Sequence, residues 1–118
     1  MDIRELYSAE DSGISFVESV CVRPGMYTLD GTLAEVGAFL QGFYSGMGGH
    51  SSSEAGREDA DRWVNFCCWA CVKLTGEKGG WYQLIQILQE QYPVEKEAFI
   101  RLAELCIEHR QISDKPLL

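Results

Sequence analysis

Residues 57–74 read Arg-Glu-Asp-Ala-Asp-Arg-Trp-Val-Asn-Phe-Cys-Cys-Trp-Ala-Cys-Val-Lys-Leu. Trp63, Phe66, Cys67, Ala70, Cys71 and Leu74 recur at the three- and four-residue intervals that put side chains on one face of an α-helix. Val64, Cys68, Trp69 and Val72 add a second apolar surface. A helix apolar nearly all round belongs at the centre of a bundle. Glu58, Asp59 and Asp61 in its opening turns complement the positive end of the helix dipole. Gly76, just past Thr75, is the expected closing cap.

Working outward from this helix, every neighbouring segment also carries helical signals. Upstream, Thr32-Leu33-Ala34-Glu35 has the form of a capping box, in which the threonine and the acid three residues on each satisfy the other's free backbone N–H. Leu33, Val36, Leu40, Phe43, Tyr44 and Met47 then share a face, with Gly37 and Gly42 as small residues suited to close helix approach. Residues 45–56 are rich in Gly and Ser and read as a flexible loop. Further back, Ser15 and Glu18 form a second capping box opening a short helix that Arg23-Pro24 ends, because the residue before proline avoids the α region. Ile3, Leu6 and Tyr7 have helical spacing in a segment too short to be stable alone. Downstream, Trp81–Tyr92 and Val94–Arg110 are two more amphipathic stretches separated by Pro93. Residues 113–118 read as a loose tail. The expectation is an all-α fold, a single-domain bundle of about five helices spanning residues 1–118.

Length and composition agree. The 118 residues, 46% of them hydrophobic, suffice for one core. No run approaches the ~20 apolar residues that cross a bilayer. Met1-Asp2-Ile3-Arg4-Glu5 has no basic region leading into an apolar one, so cytoplasmic residence is expected. The formal charge is −8, and it is unevenly spread: residues 1–61 hold eleven acids and three bases, whereas residues 62–118 hold seven of each. That field opposes binding to nucleic acid or an anionic membrane and favours a basic partner.

Few residues carry catalytic chemistry. Cys68-Trp69-Ala70-Cys71 is a CxxC, but a redox pair needs its first thiol at a helix N-terminus, and this one lies mid-helix. A structural zinc site needs four ligands, and a single CxxC supplies two. The five cysteines are therefore read as reduced core thiols, with no cofactor or metal. His50 lies in the Gly/Ser segment and His109 at a helix end, both read as solvent-exposed. No phosphate-cradling glycine motif is present, and neither an enzyme nor a small-molecule substrate is expected. The acids Glu54, Glu58, Asp59 and Asp61 form a run beside the Gly/Ser segment. They are a capped helix start on one reading and a patch for a basic partner on the other, which Asp2, Glu5, Glu10 and Asp11 would extend if the N-terminus packs nearby.

The stretch Arg23-Pro24-Gly25-Met26-Tyr27, followed by Thr32-Leu33 and the helix through Ala38-Phe39-Leu40-Gln41-Gly42-Phe43-Tyr44, resembles a family of small α-helical bacterial immunity proteins. These belong to polymorphic toxin systems, including contact-dependent growth inhibition. The resemblance implies a cytoplasmic, non-enzymatic inhibitor that binds the C-terminal toxin domain of a cognate effector, many of which are nucleases with basic clefts, and occludes its active site. The alternative is a helical adaptor with another partner. Within the motif, Pro24 is expected to stop a helix, Gly25 to take positive φ, Met26 and Tyr27 to dock the turn on the core, and Arg23 to cap carbonyls or pair with an acid. Thr28-Leu29 departs from the apolar-Gly pair more usual after the tyrosine.

Overall fold

The computed structural model describes residues 2–7, 14–50, 54–113 and 116–117, the side chains of residues 49 and 50 excepted. Five α-helices account for most of them: α1 (Phe16–Val22), α2 (Leu33–His50), α3 (Glu54–Thr75), α4 (Trp81–Gln91) and α5 (Glu95–Ile112). Two short 3₁₀ turns, Ile3–Leu6 and Pro24–Met26, lie before α1 and before α2. There is no strand among the described residues, and the all-α bundle is as expected.

Both capping boxes form. Ser15 Oγ accepts from the Glu18 N–H at 3.2 Å while Glu18 Oε1 accepts from the Ser15 N–H at 3.2 Å. Thr32 and Glu35 repeat the exchange at the start of α2. The backbone N–H groups of Thr32 and Asp30 hold the Glu35 carboxyl below its usual pKa. Gly76 closes α3 at φ 83°, a left-handed conformation that favours glycine.

The core runs through the middle of the bundle. Leu33, Val36 and Leu40 of α2 meet Phe66, Cys67 and Ala70 of α3 and Leu84 and Leu88 of α4, with Leu102 and Leu105 from α5. α2 packs most extensively on α3, and α1 lies mainly against α5. Two glycines allow the close approaches. A Cβ on Gly37 would come within 2.6 Å of Ile85 Cγ1 on α4, and one on Gly48 within 2.8 Å of Ala60 Cβ on α3.

Four expectations need correction. The Gly/Ser segment 45–56 is mostly helix: α2 continues to His50 and α3 begins at Glu54, leaving residues 51–53 outside the described residues. Packing explains this, since Gly48 sits against Ala60 and Gly56 is buried, and interhelical contact overrides the weak helix propensity of glycine. Within the segment read as a loose tail, Leu117 is buried in the core cluster. The central helix is not covered on all sides: Val64 is 61% exposed and Val72 is also exposed. Gly25 does not take positive φ, whereas Gly31 does, at φ 70°.

The two ends of the chain are fastened by a buried acid. Glu18 is fully buried on α1 and pairs with Arg110 on α5. Its carboxylate also accepts from the hydroxyls of Ser15 at 2.9 Å and Tyr7 at 2.7 Å. Burial, followed by the bond to Glu18, pushes the Tyr7 phenol well above its ordinary pKa, so it stays a donor.

Candidate functional site

Two surface features are built from the residues that sequence reading singled out, or from their neighbours. The first surrounds the Arg23-Pro24-Gly25-Met26-Tyr27 turn. Pro24 ends α1 and starts the 3₁₀ turn, which Thr28 stabilises: its Oγ1 donates to the Pro24 carbonyl at 3.1 Å and accepts from the Gly31 N–H at 2.9 Å. The threonine that departs from the expected pattern is thus the residue that locks the turn. The backbone N–H of Arg23 bonds the Ser19 carbonyl, and its guanidinium reaches Met26 Sδ at 3.9 Å.

Met26 does not dock on the core, being 69% exposed. Tyr27 is only partly covered, and it packs edge-on against Phe16 with ring centroids 5.6 Å apart. Phe16 in turn stacks on Phe43 at 4.5 Å and touches Phe39 at 6.0 Å. Four aromatic rings from α1, the turn and α2 therefore form one contiguous cluster, in which Tyr27 and Phe43 reach the surface while Phe16 and Phe39 pack inward against the core. Phe43, Ile14 and the highly exposed Leu29 are surface residues that the sequence reading does not single out as such, although Leu29 lies outside any helix; Phe39, off the buried stripe of α2, is partly buried against the core. For Leu29, that position was the available signal. Phe43 was assigned to the core stripe and sits instead at its edge. A hollow of about 290 Å³ lies at the margin, lined by Ile14, Ser19, Val22, Arg23, Met26 and Tyr27.

The second feature lies where the start of α3 passes the end of α5. Glu54 and Asp61 are exposed. Asp59 is held by Arg62 at 2.9 Å, and Glu58 lies 3.5 Å from the same guanidinium. The four acids are therefore not equivalent, because Arg62 neutralises chiefly Asp59. Glu10 and Asp11 lie outside the described residues. Glu58, Asp61, Arg62 and Asn65 join His109 and Ser113 around a pocket of about 270 Å³.

His109 is not the exposed side chain that its position at a helix end suggested. It is 8% exposed, with its ring edge-on to Phe66 at 5.3 Å and tilted against Trp69 at 5.1 Å. Desolvation lowers its pKa. The side chain of His50 lies outside the described residues.

Four of the five cysteines sit in the core, and Cys68 is partly exposed. Cys21, Cys67, Cys71 and Cys106 are buried and unpaired, and burial pushes each of their thiols upward in pKa, opposite to the activation a nucleophile needs. Cys71 Sγ lies 3.7 Å from the Gly80 carbonyl. Among the described residues, no three His, Cys, Asp or Glu side chains are grouped so as to hold a metal ion. No helix among them is long and apolar enough to cross a membrane. No protein-family model, curated protein or solved structure matches the chain.

Proposed function

We propose that this chain is a cytoplasmic immunity protein that binds a cognate bacterial toxin domain and blocks its active site without catalysis of its own. The observation that carries the reading is the aromatic cluster of Phe16, Tyr27, Phe39 and Phe43, built around the same Arg-Pro-Gly-Met-Tyr turn that resembles the immunity family. Aromatic and methionine side chains are the residue types that anchor protein interfaces, where a few of them supply most of the binding energy. The rings present rigid, partly apolar area at a small entropic cost, and Met26 adds an adaptable edge. The net charge of −8 complements a toxin with a basic cleft and speeds its capture.

The test is co-expression of the tagged chain with the C-terminal domain of the large protein encoded directly upstream. A stable 1:1 complex and restored growth of cells that the domain otherwise kills are expected. Phe43→Ala should weaken that complex about thirtyfold, corresponding to the ~2 kcal/mol of an interface hot spot. A domain that neither binds the chain nor is neutralised by it removes that pairing, and a helical adaptor with a different partner then becomes the better reading.

A further inference from the structure

Helix α3 turns one apolar stripe to solvent. Val64 is 61% exposed, Val72 is 41% exposed and Cys68 is partly exposed, while Trp63, Phe66, Cys67, Ala70 and Cys71 of the same helix are buried. Positions 64, 68 and 72 follow the four-residue interval of one helix face, so they form a stripe about 12 Å long. A small side chain stands at its centre, with a valine on either side.

The stripe is symmetric about Cys68. When two copies of α3 cross antiparallel with both Cys68 residues at the crossing, Val64 of each copy faces Val72 of the other. Such reciprocal contact, i with j and j with i, is what a two-fold axis requires. The small Cys68 side chain permits the roughly 8–10 Å spacing of packed helices at that point.

The charges follow the same register. Glu58 lies ten residues before Cys68, and Lys78 ten residues after it, just past the Gly76 cap; both are exposed. Arg57 and Glu77, also exposed, adjoin them. The antiparallel arrangement brings Glu58 to Lys78 and Arg57 to Glu77 of the other copy, each pair twice, whereas a parallel one sets like charge against like. Arg62 lies closer to Asp59, at 2.9 Å, than to Glu58, at 3.5 Å, so the half-exposed Glu58 carboxylate has capacity for a second cation. Residues 54–78 hold five acids and four bases, although the whole chain carries −8. Self-association here meets little local repulsion. A near-neutral, self-matching face fits a second copy better than it fits a basic partner.

We propose that the exposed side of α3 is a homodimer interface, formed by two α3 helices crossing antiparallel about Cys68. None of its residues belongs to the aromatic cluster, so the dimer stands independently of the immunity reading. The contact is one helix wide, at the small end of specific interfaces, and its dissociation constant is expected at roughly 10–100 μM.

The test uses the full-length chain alone. Sedimentation equilibrium should give an apparent mass that rises with concentration from monomer to dimer. A short bismaleimide should join two chains through Cys68, located by mass spectrometry, and Cys68→Ser should lose the cross-link yet still dimerise. Val64→Glu should weaken dimerisation by about tenfold or more, because it places two carboxylates in the apolar contact. Glu58→Lys and Lys78→Glu should each weaken it about fivefold, and the two combined in one chain should recover most of the loss, since opposite charges then face each other again. Melting curves of dilute protein check that each variant is folded; if Val64→Glu is not, the charge reversals carry the test. A chain still monomeric at roughly 1 mM, the weak end of the affinity scale, would overturn the proposal. So would a dimer indifferent to Val64→Glu, or single reversals that their combination does not rescue. A monomer whose Cys68 is shielded only when the toxin domain is bound would reassign the face to that partner. Because the dimer is measured without a toxin, its failure and that of the co-expression experiment are distinguishable.

Discussion

Glu18 is the residue on which the tertiary structure depends most sharply. An ionised carboxylate removed from water requires a cation and hydrogen-bond donors, and here Arg110, Ser15 and Tyr7 supply them. Glu18→Ala removes a carboxylate that pairs with Arg110 and takes away the acceptor of the Tyr7 hydroxyl. It should lower unfolding free energy by about 3–5 kcal/mol, measured by urea titration, whereas Glu18→Gln, which keeps the capping geometry, should lower it less. Tyr44 is the opposite case. Its ring stacks on Trp63 with centroids 5.1 Å apart, but its hydroxyl is buried without a hydrogen-bond partner among the described residues. Tyr44→Phe keeps the stacking and removes an unsatisfied group, so it should stabilise the protein by roughly 1 kcal/mol in the same titration. His109 governs part of the pH dependence. Burial depresses its folded pKa below the ordinary 6.5, so the unfolded chain takes up a proton first as pH falls. Its contribution is therefore present above about pH 6.5 and is lost as acidification proceeds through the folded pKa. Glu58, Asp61 and Arg62 face the same pocket, and the depression persists beside them. Melting temperatures recorded from pH 7.5 to pH 5 (roughly the range in which histidine titrates) should fall less steeply in His109→Gln than in the parent.

At the scale of the element, helix α2 shows how one residue type performs different tasks along a single segment. Gly37 lies against Ile85 and has no room for a methyl group, whereas Gly42 faces open space. Gly37→Ala should therefore destabilise the bundle by about 1–3 kcal/mol through overpacking. Gly42→Ala should stabilise it by up to ~1 kcal/mol through helix propensity. Opposite changes in denaturation midpoint for the two variants would check this pair. The same helix marks the limit of what sequence reveals. Its capping box and the stripe of Leu33, Val36, Leu40 and Tyr44 were legible because they follow local rules of spacing and hydrogen bonding. The continuation through Gly46, Gly48 and Gly49 was not, because it depends on α3 lying close enough to support it, and distance between helices is absent from a linear pattern. The same reasoning covers the sites. Acids in the first turns of α3 were visible by type, and Arg62 follows Asp59 and Glu58 at the intrahelical i+3 and i+4 spacings, but their meeting with His109 requires α3 and α5 to be side by side. The aromatic cluster likewise unites Phe16, Tyr27 and Phe43 from three segments.

For the whole molecule, the Cα radius of gyration is 13.6 Å, against roughly 13.5 Å for a compact domain of this length. Such packing leaves the cysteines unequal in their access to solvent. Cys68 is partly exposed, while Cys21, Cys67, Cys71 and Cys106 are buried. A thiol reagent added to native protein should modify Cys68 first, and the other four should follow only as the fold opens; mass spectrometry of the time course would distinguish this order from uniform labelling. The pairing of Glu18 with Arg110 spans 92 positions of the chain, which gives the fold a schedule as well as a shape. At the ~5–20 residues per second of synthesis, roughly 5–18 seconds separate the appearance of the acid from that of its counter-ion. Throughout that interval α1 has no finished seat: Val17, Val20 and Cys21 cannot yet be enclosed by α5, and the carboxylate keeps its water. The N-terminal helix is thus made early and docked late, and a chain interrupted before Arg110 would carry an exposed apolar surface that the completed protein conceals.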